Sequence, residues 1–261
     1  MNFSPNIQED AWLNYAKLSY EIGNPYKSTP EVLTDFLERY PKSAFKIEVE
    51  TLLIDSYISS NNFKEALELL EKKSRAAHKE AYQKVTFYRA LELYNSAKYL
   101  VAKELLERSL STSVISVFMA RATYWKAETD YQSSNFKEAL EGFLDFKNTI
   151  QSQQLEEFEN IEYNLAYTYF KQKQYALAIK SFQSFIDTKP KNLILSNDAF
   201  LRLGDSYFVT TQYSPGIDAY QAALKLGQIE LDYATFQIAV SRGYLGQISE
   251  KIKGLDEVMK F

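Results

Sequence analysis

The chain has 261 residues, enough for one large core or for a stacked array. Charged residues are 25% and mixed in sign, with a net charge of −4, which argues against a nucleic-acid protein, whose binding face is ordinarily basic. Cys is absent, so a disulfide framework and a thiolate site are both excluded. No apolar run reaches about 18 residues, so no transmembrane helix is predicted. Only 8 Gly and 6 Pro stand beside 20 Tyr and 17 Phe, too few breakers for a chain of many strands but suited to helices joined by short turns.

Taken in order, the chain opens on MNFSPNIQEDAW, which has neither a basic n-region nor an apolar h-region. The expectation is either a cytoplasmic protein or a fragment whose export signal lies elsewhere. Seven helix pairs are predicted, roughly 10–40, 45–73, 80–110, 114–147, 158–191, 197–226 and 230–261, all in one domain. In the first, Trp12, Tyr15, Ala16 and Ile22 mark a helix, Gly23-Asn24-Pro25 breaks it, and Thr29-Pro30-Glu31 reads as a cap with proline at the first helical position. That turn is longer than the others. Ser60-Asn61-Asn62 and Ser133-Ser134-Asn135 are predicted turns, Gln151 to Glu157 is a polar linker, and Ser214-Pro215 starts a helix. The stretch from Asn160 to Lys191 is the clearest pair. Leu165, Ala166, Tyr169 and Phe170 recur at helical spacing, then a polar break from Lys171 to Gln174, then Leu177, Ala178, Ile179, Phe182 and Phe185, with Pro190 as a stop.

A repeat is tested by self-similarity at a fixed offset. Ala16, Ile54, Ala90, Ala127, Ala166, Gly204 and Ala239 follow one another at steps of 38, 36, 37, 39, 38 and 35 residues. Ala66, Ala102, Ala139, Ala178, Gly216 and Lys251 keep the same register, as do Phe63, Tyr99, Phe136, Tyr175, Tyr213 and Ile248 just after each turn. Small residues at both contact points let two helices approach within about 8–10 Å. Ile54 is large for such a place, Gly216 smaller than needed, and Lys251 charged, tolerable if its head reaches water.

This pattern resembles the tetratricopeptide repeat, with Ala166, Ala178 and Pro190 at its small and closing positions and Tyr175 as the aromatic after the turn. The resemblance implies an all-α fold, a right-handed α-solenoid of about seven antiparallel helix pairs. The Tyr40-Pro41-Lys42-Ser43 junction, and Pro190-Lys191-Asn192, look like the YPxS variant. That variant is frequent in bacterial envelope proteins, including the lipoprotein subunit of the outer-membrane assembly machine and its periplasmic relatives, so the resemblance favours the periplasm or cell envelope. Ile248, Ile252, Leu255 and Val258 form an apolar stripe on the last helix. The expectation is a piece of a longer array that associates through this end.

No motif carries catalysis. His78, the only histidine, lies in the basic junction from Lys72 to Lys79 and reads as part of a solvated loop. The glycines are scattered, so no phosphate loop exists. Glu156, Glu157, Glu159 and Glu162 fall mostly on an exposed face. No enzyme activity, metal or cofactor is expected.

In the family it resembles, the first helices line a concave face. Here that selects Tyr20, Thr51, Asp55, Phe87, Leu91, Tyr94, Tyr124, Glu128, Tyr131, Tyr163, Tyr167, Phe170, Asp205, Phe208, Phe236 and Tyr244. Tyr94, Tyr131, Phe170 and Phe208 are weighed chiefly as packing between first helices. The binding candidates are Phe87, Leu91, Tyr124, Tyr163 and Tyr167 as a track, flanked by Lys84, Arg121 and Lys171, with Glu128 on the opposite rim. The expected partner is a protein or peptide segment with apolar anchors and some acidic residues. Two alternatives stay open: a glycan or small ligand on the aromatic face, and self-assembly through the ends of the solenoid.

Overall fold

The computed structural model describes residues 4–72 and 77–260, so four residues of the basic junction, 73–76, lie outside the described residues. Among the described residues fourteen α-helices follow one another and there is no strand. They pair as α1 (Pro5–Ile22) with α2 (Thr29–Arg39), α3 (Lys46–Ser59) with α4 (Phe63–Lys72), α5 (Lys79–Asn95) with α6 (Tyr99–Thr112), and α7 (Ser116–Gln132) with α8 (Phe136–Asn148). Then come α9 (Ile161–Lys171) with α10 (Tyr175–Asp187), α11 (Leu193–Val209) with α12 (Tyr213–Leu226), and α13 (Leu231–Tyr244) with α14 (Ile248–Val258). Two short 3₁₀ turns, Ile150–Gln154 and Glu156–Asn160, bridge α8 and α9. The all-α architecture of antiparallel pairs is the one expected. The chain forms two compact units, 1–122 and 123–261, divided within α7. None of the described helices is long and apolar enough to cross a membrane.

Each turn inside a pair, the first excepted, is built the same way. One residue adopts the left-handed conformation: Asn61, Ala97, Ser134, Lys173, Thr211 and Gly246. The next residue's N–H reaches back five positions, as in Asn62 to Tyr57 O (2.8 Å), Asn135 to Asp130 O (2.8 Å) and Gln247 to Arg242 O (2.9 Å). This is the Schellman closure, which satisfies carbonyls that a helix end leaves open. The first pair differs. Residues 23–28 join its helices, and Ser28, not Thr29, caps α2, with its backbone N–H and Oγ–H both donating to the Glu31 carboxylate (2.8 and 2.7 Å).

Across the turns of the third to sixth pairs the last aromatic of the first helix meets the first residue of the second. Tyr94 and Tyr99 (5.4 Å), Tyr131 and Phe136 (5.4 Å), Phe170 and Tyr175 (5.5 Å), and Phe208 and Tyr213 (5.5 Å) all meet edge to face. Tyr94, Tyr131, Phe170 and Phe208 thus pack against their own turn.

In the first unit Leu13, Ala16, Val32, Leu33, Phe36, Val49 and Leu53 form one buried cluster, and Ile54, Ala66, Leu70, Tyr82 and Val85 the next. Ile54 fits its crowded place because Ala66 faces it. In the second unit Ala166, Ala178, Phe182, Phe185 and Leu203 are continuous with a layer from Ala199 to Ala219, followed by Leu201, Tyr220, Ala223, Ala234 and Ile238. Gly204 makes room for a ring: a Cβ there would lie 2.6 Å from Tyr220 Cε1. Lys251 is accommodated by Gly243, whose absent Cβ would lie 2.7 Å from the lysine Cδ, and the tight approach of α14 falls instead to Gly254 against Ala239.

Buried polar side chains hold the incoming loop of the next pair. Gln83 Oε1 accepts the Ile115 N–H (2.7 Å) while its Nε2 donates to Ile115 O (3.2 Å). Asn197, in the same register, accepts the Gln228 N–H (3.0 Å) and donates to Ile229 O (3.2 Å). His78 is corrected from a solvated residue to a buried one, 8% exposed. It sits at the start of α5, where its carbonyl accepts the Tyr82 N–H, and lines a cavity of about 490 Å³ with Asp55, Ile58 and Val114.

Candidate functional site: an aromatic cleft with a buried carboxylate

The second unit carries a cleft of about 220 Å³ lined by Glu128, Tyr131 and Gln132 from α7 and by Tyr163, Asn164 and Tyr167 from α9. Spacings of three and four residues bring each trio to one helix face. Glu128 is only 9% exposed, and Asn164 Nδ2 donates to its Oε1. The Tyr124 hydroxyl donates to Asn164 Oδ1 (3.3 Å), which fixes the amide's orientation from the other side.

Behind the two α9 tyrosines lies a charged network. The rings of Tyr163 and Tyr167 are 4.9 Å apart, and both hydroxyls donate to Asp198 Oδ2. Asp198 Oδ1 faces Arg202 Nε at 3.4 Å, and the same guanidinium pairs with Asp205 (2.7 Å) and Glu230 (2.8 Å). Asp205 Oδ1 also accepts from Tyr220 (2.7 Å) and Tyr233 (2.8 Å). Burial works against the Arg202 charge, but the Asp205 hydrogen bond and the surrounding negative charge outweigh it and raise its pKa. One guanidinium among three carboxylates leaves this network acidic.

Burial, then the charges of Glu128 and Asp198, push the Tyr131 phenol up to about 12. Tyr163 and Tyr167 are raised as well, Tyr163 by burial first and then by Tyr167 and Asp198, Tyr167 by burial first and then by Asp198. All three phenols are therefore neutral hydrogen-bond donors near neutral pH. The cleft offers ring faces, two amides and a carboxylate, which is binding chemistry. Among the described residues no group of three or more His, Cys, Asp or Glu is placed to hold a metal ion.

Of the residues singled out in sequence, Glu128, Tyr163 and Tyr167 converge here. Tyr124 is 7% exposed, its ring tilted against Phe146 at 5.1 Å, and Phe87 is fully buried against Tyr88 and Phe118. The expected open track through these two rings is corrected. Phe87 and Tyr124 each stand three residues before the small contact residue, Ala90 or Ala127. Tyr163 holds the same place before Ala166 and is only half-buried, against Phe182 and Phe185; Tyr124 is closed in by Phe143 and Phe146, and Phe87 by Phe118 of α7. Arg121 lies over the Phe87 ring at 4.9 Å, Leu91 is half-buried, Lys84 lines the cavity beside His78, and Lys171 is exposed at the end of α9. Tyr131, read as packing, both packs and lines the cleft. Asp198 and Arg202 were missed, although a carboxylate and a guanidinium four apart on one helix are a legible pair.

The fold and site together define an all-α helical-repeat protein with an aromatic cleft on its first helices. Residues 162–192 match the family model described as tetratricopeptide repeat. Among solved structures the chain is similar to MamA of AMB-1 (17% identity, TM-score 0.57, covering 69% of this chain and 91% of that one). It is also similar to MamA from Desulfovibrio magneticus RS-1 (16%, 0.58, 69% and 94%). A further MamA crystal structure aligns at 14% identity and TM-score 0.59, over 69% and 91%. These likenesses are of fold. No curated protein sequence matches the chain.

Proposed function

We propose that the chain is a non-catalytic scaffold that holds a segment of another protein against its first helices, with the cleft between α7 and α9 as the anchor point. One observation carries this reading: Tyr131, Tyr163 and Tyr167 gather around Glu128, Asn164 and Gln132 on two neighbouring first helices. Tyrosine gives large contact area with few rotors, as interfaces use it. The repeat fold supports a protein partner, and the Tyr40-Pro41-Lys42-Ser43 junction supports a place among envelope variants of the repeat.

The test is selection from a displayed random-peptide library on the intact chain. Recovered peptides should lose about 2 kcal/mol of affinity on Tyr131→Ala, as hot spots do, and should be blocked by Gln132→Trp at the exposed rim. Peptides indifferent to both variants overturn the anchor. A second reading rests on the amides of Gln132 and Asn164 beside the rings, which also suit a sugar. Binding to a glycan array that both variants abolish, with no peptide recovered, would select it.

Self-association through α14 is the remaining proposal. Ile248 and Ile252 are 56% and 54% exposed on one face of that helix, while Leu255 and Val258 are half-buried. Sedimentation should show a concentration-dependent dimer that Ile248→Glu with Ile252→Glu abolishes; a monomer at millimolar concentration overturns it.

A further inference from the structure

We infer that the α7–α9 cleft is selective for a basic side chain, a lysine or arginine presented by the partner segment. This rests on the scaffold reading above and reverses the acidic partner that Lys84, Arg121 and Lys171 suggest in the sequence.

The lining contains one carboxylate, two amides and three tyrosine rings, and no cation. Glu128 brings its carboxylate to the wall with Asn164 as a hydrogen-bonded neighbour. The hydroxyls of Tyr163 and Tyr167 both point away, onto Asp198. A phenol that donates to a carboxylate becomes richer in electrons across its ring, and a richer ring face attracts a cation more strongly. Asp198 also lies close enough to act on Tyr131. Ring faces, Glu128 and the acidic network behind α9 therefore favour the same sign of ligand.

The alternatives fit less well. An acidic side chain would meet Glu128 as a like charge in a partly desolvated place, where such repulsion is strong. An apolar one would draw nothing from the electron-rich ring faces or from the carboxylate. The volume argues too. At about 220 Å³ the cleft is smaller than the roughly 300–1,000 Å³ typical of sites for whole small molecules. It suits one long side chain, whose methylenes lie along Tyr131 and Tyr163 while the charged end reaches Glu128.

The experiment uses the full chain labelled with 3-fluorotyrosine and follows fluorine resonances assigned by single Tyr→Phe variants. The probes are the Nα-acetyl amides of lysine, arginine, norleucine and glutamate. Lysine and arginine should shift the Tyr131, Tyr163 and Tyr167 signals saturably, with norleucine and glutamate weaker by about tenfold or more, the scale of a charge-assisted hydrogen bond plus a cation–π contact. Glu128→Gln should erase the preference of lysine over norleucine. If that variant fails to fold, Tyr131→Leu, which keeps apolar bulk without a ring face, should weaken lysine several-fold. Equal binding of norleucine and lysine, tighter binding of glutamate, or no saturable shift with any probe overturns the inference. Library peptides that occupy the cleft without a basic residue also overturn it while leaving the scaffold standing. Lysine binding with no recovered peptide sinks the scaffold reading and leaves the side-chain preference.

Discussion

Gly204 and Gly216 face each other across one helix pair yet answer to different constraints. The Gly204 Cβ position is filled by the Tyr220 ring, at 2.6 Å, and that tyrosine is fully buried with its hydroxyl on Asp205. Gly204→Ala should cost about 1–3 kcal/mol by overpacking. Around Gly216 the nearest atoms to an added Cβ, Gly204 O and Tyr207 Cβ, lie at 3.5 Å, an ordinary contact. Gly216→Ala should stabilise by about 0.4–1 kcal/mol, since glycine is the poorer helix former and the freer unfolded residue. Urea denaturation of both variants, with unchanged m-values, checks the pair; equal signs would refute the account. The sequence marked both as contact glycines but could not tell them apart, because the difference lies in Tyr220, sixteen residues from Gly204, whose size is set against the space only in three dimensions. Lys251 teaches the same lesson. Its charge looks foreign in the repeat register until Gly243 is seen beneath its methylenes.

At the scale of elements, the aromatic after five of the turns, from Phe63 to Tyr213, made the helix pairs readable. The turn itself was not. The left-handed place is taken by Asn, Ala, Ser, Lys, Thr and Gly in six successive pairs, so no residue type announces it. Thr211 is the most strained of these choices, because a β-branched residue rarely adopts φ near 60°. Thr211→Gly should raise stability by about 1 kcal/mol, read as a higher melting temperature; a loss would mean that the threonine side chain holds the turn some other way. The loop staples were equally hidden. Asn197 bonds to backbone groups of Gln228 and Ile229, which leave no side-chain signature in sequence. Asn197→Ala should cost about 1–3 kcal/mol, the penalty of leaving buried backbone groups unpaired. Asn197→Asp, which sets a buried carboxylate against the Ile229 carbonyl, should cost at least as much. The cleft divides the same way: Glu128, Tyr163 and Tyr167 were legible from helical periodicity, whereas Phe87 and Tyr124 share the register of Tyr163 and differ from it only in the rings that cover them, Phe118 on Phe87 and Phe146 on Tyr124, which periodicity does not show.

For the whole molecule, the tyrosines set a limit at alkaline pH, and they are unevenly shared. In the second unit Tyr131 and Tyr233 are pushed up to about 12, chiefly by burial and next by Glu128 and by Asp205 respectively. Tyr163, Tyr167 and Tyr220 are also raised, by burial first. In the first unit Tyr57 is raised, by burial first. The sign follows from linkage. Below about pH 10, the ordinary phenol value, folded and unfolded chains are both neutral at these rings and the contribution to stability is constant. Between about 10 and 12 the unfolded chain loses the protons and the folded chain keeps them, so stability is lost as pH rises, mostly from residues 123–261. Two tryptophans allow the units to be followed separately, because Trp12 lies in α1 and Trp125 in α7 beyond the division of the chain. Single-tryptophan variants, Trp12→Phe and Trp125→Phe, should give fluorescence transitions in which Trp125 responds between pH 10 and 12 and Trp12 at higher pH. Absorbance of tyrosinate should show a late phase that coincides with the Trp125 change, and Tyr220→Phe should shift that change upward. Should Trp12 respond first, or tyrosinate form in a single phase with helical circular dichroism intact, the buried phenols do not govern how this protein fails in base.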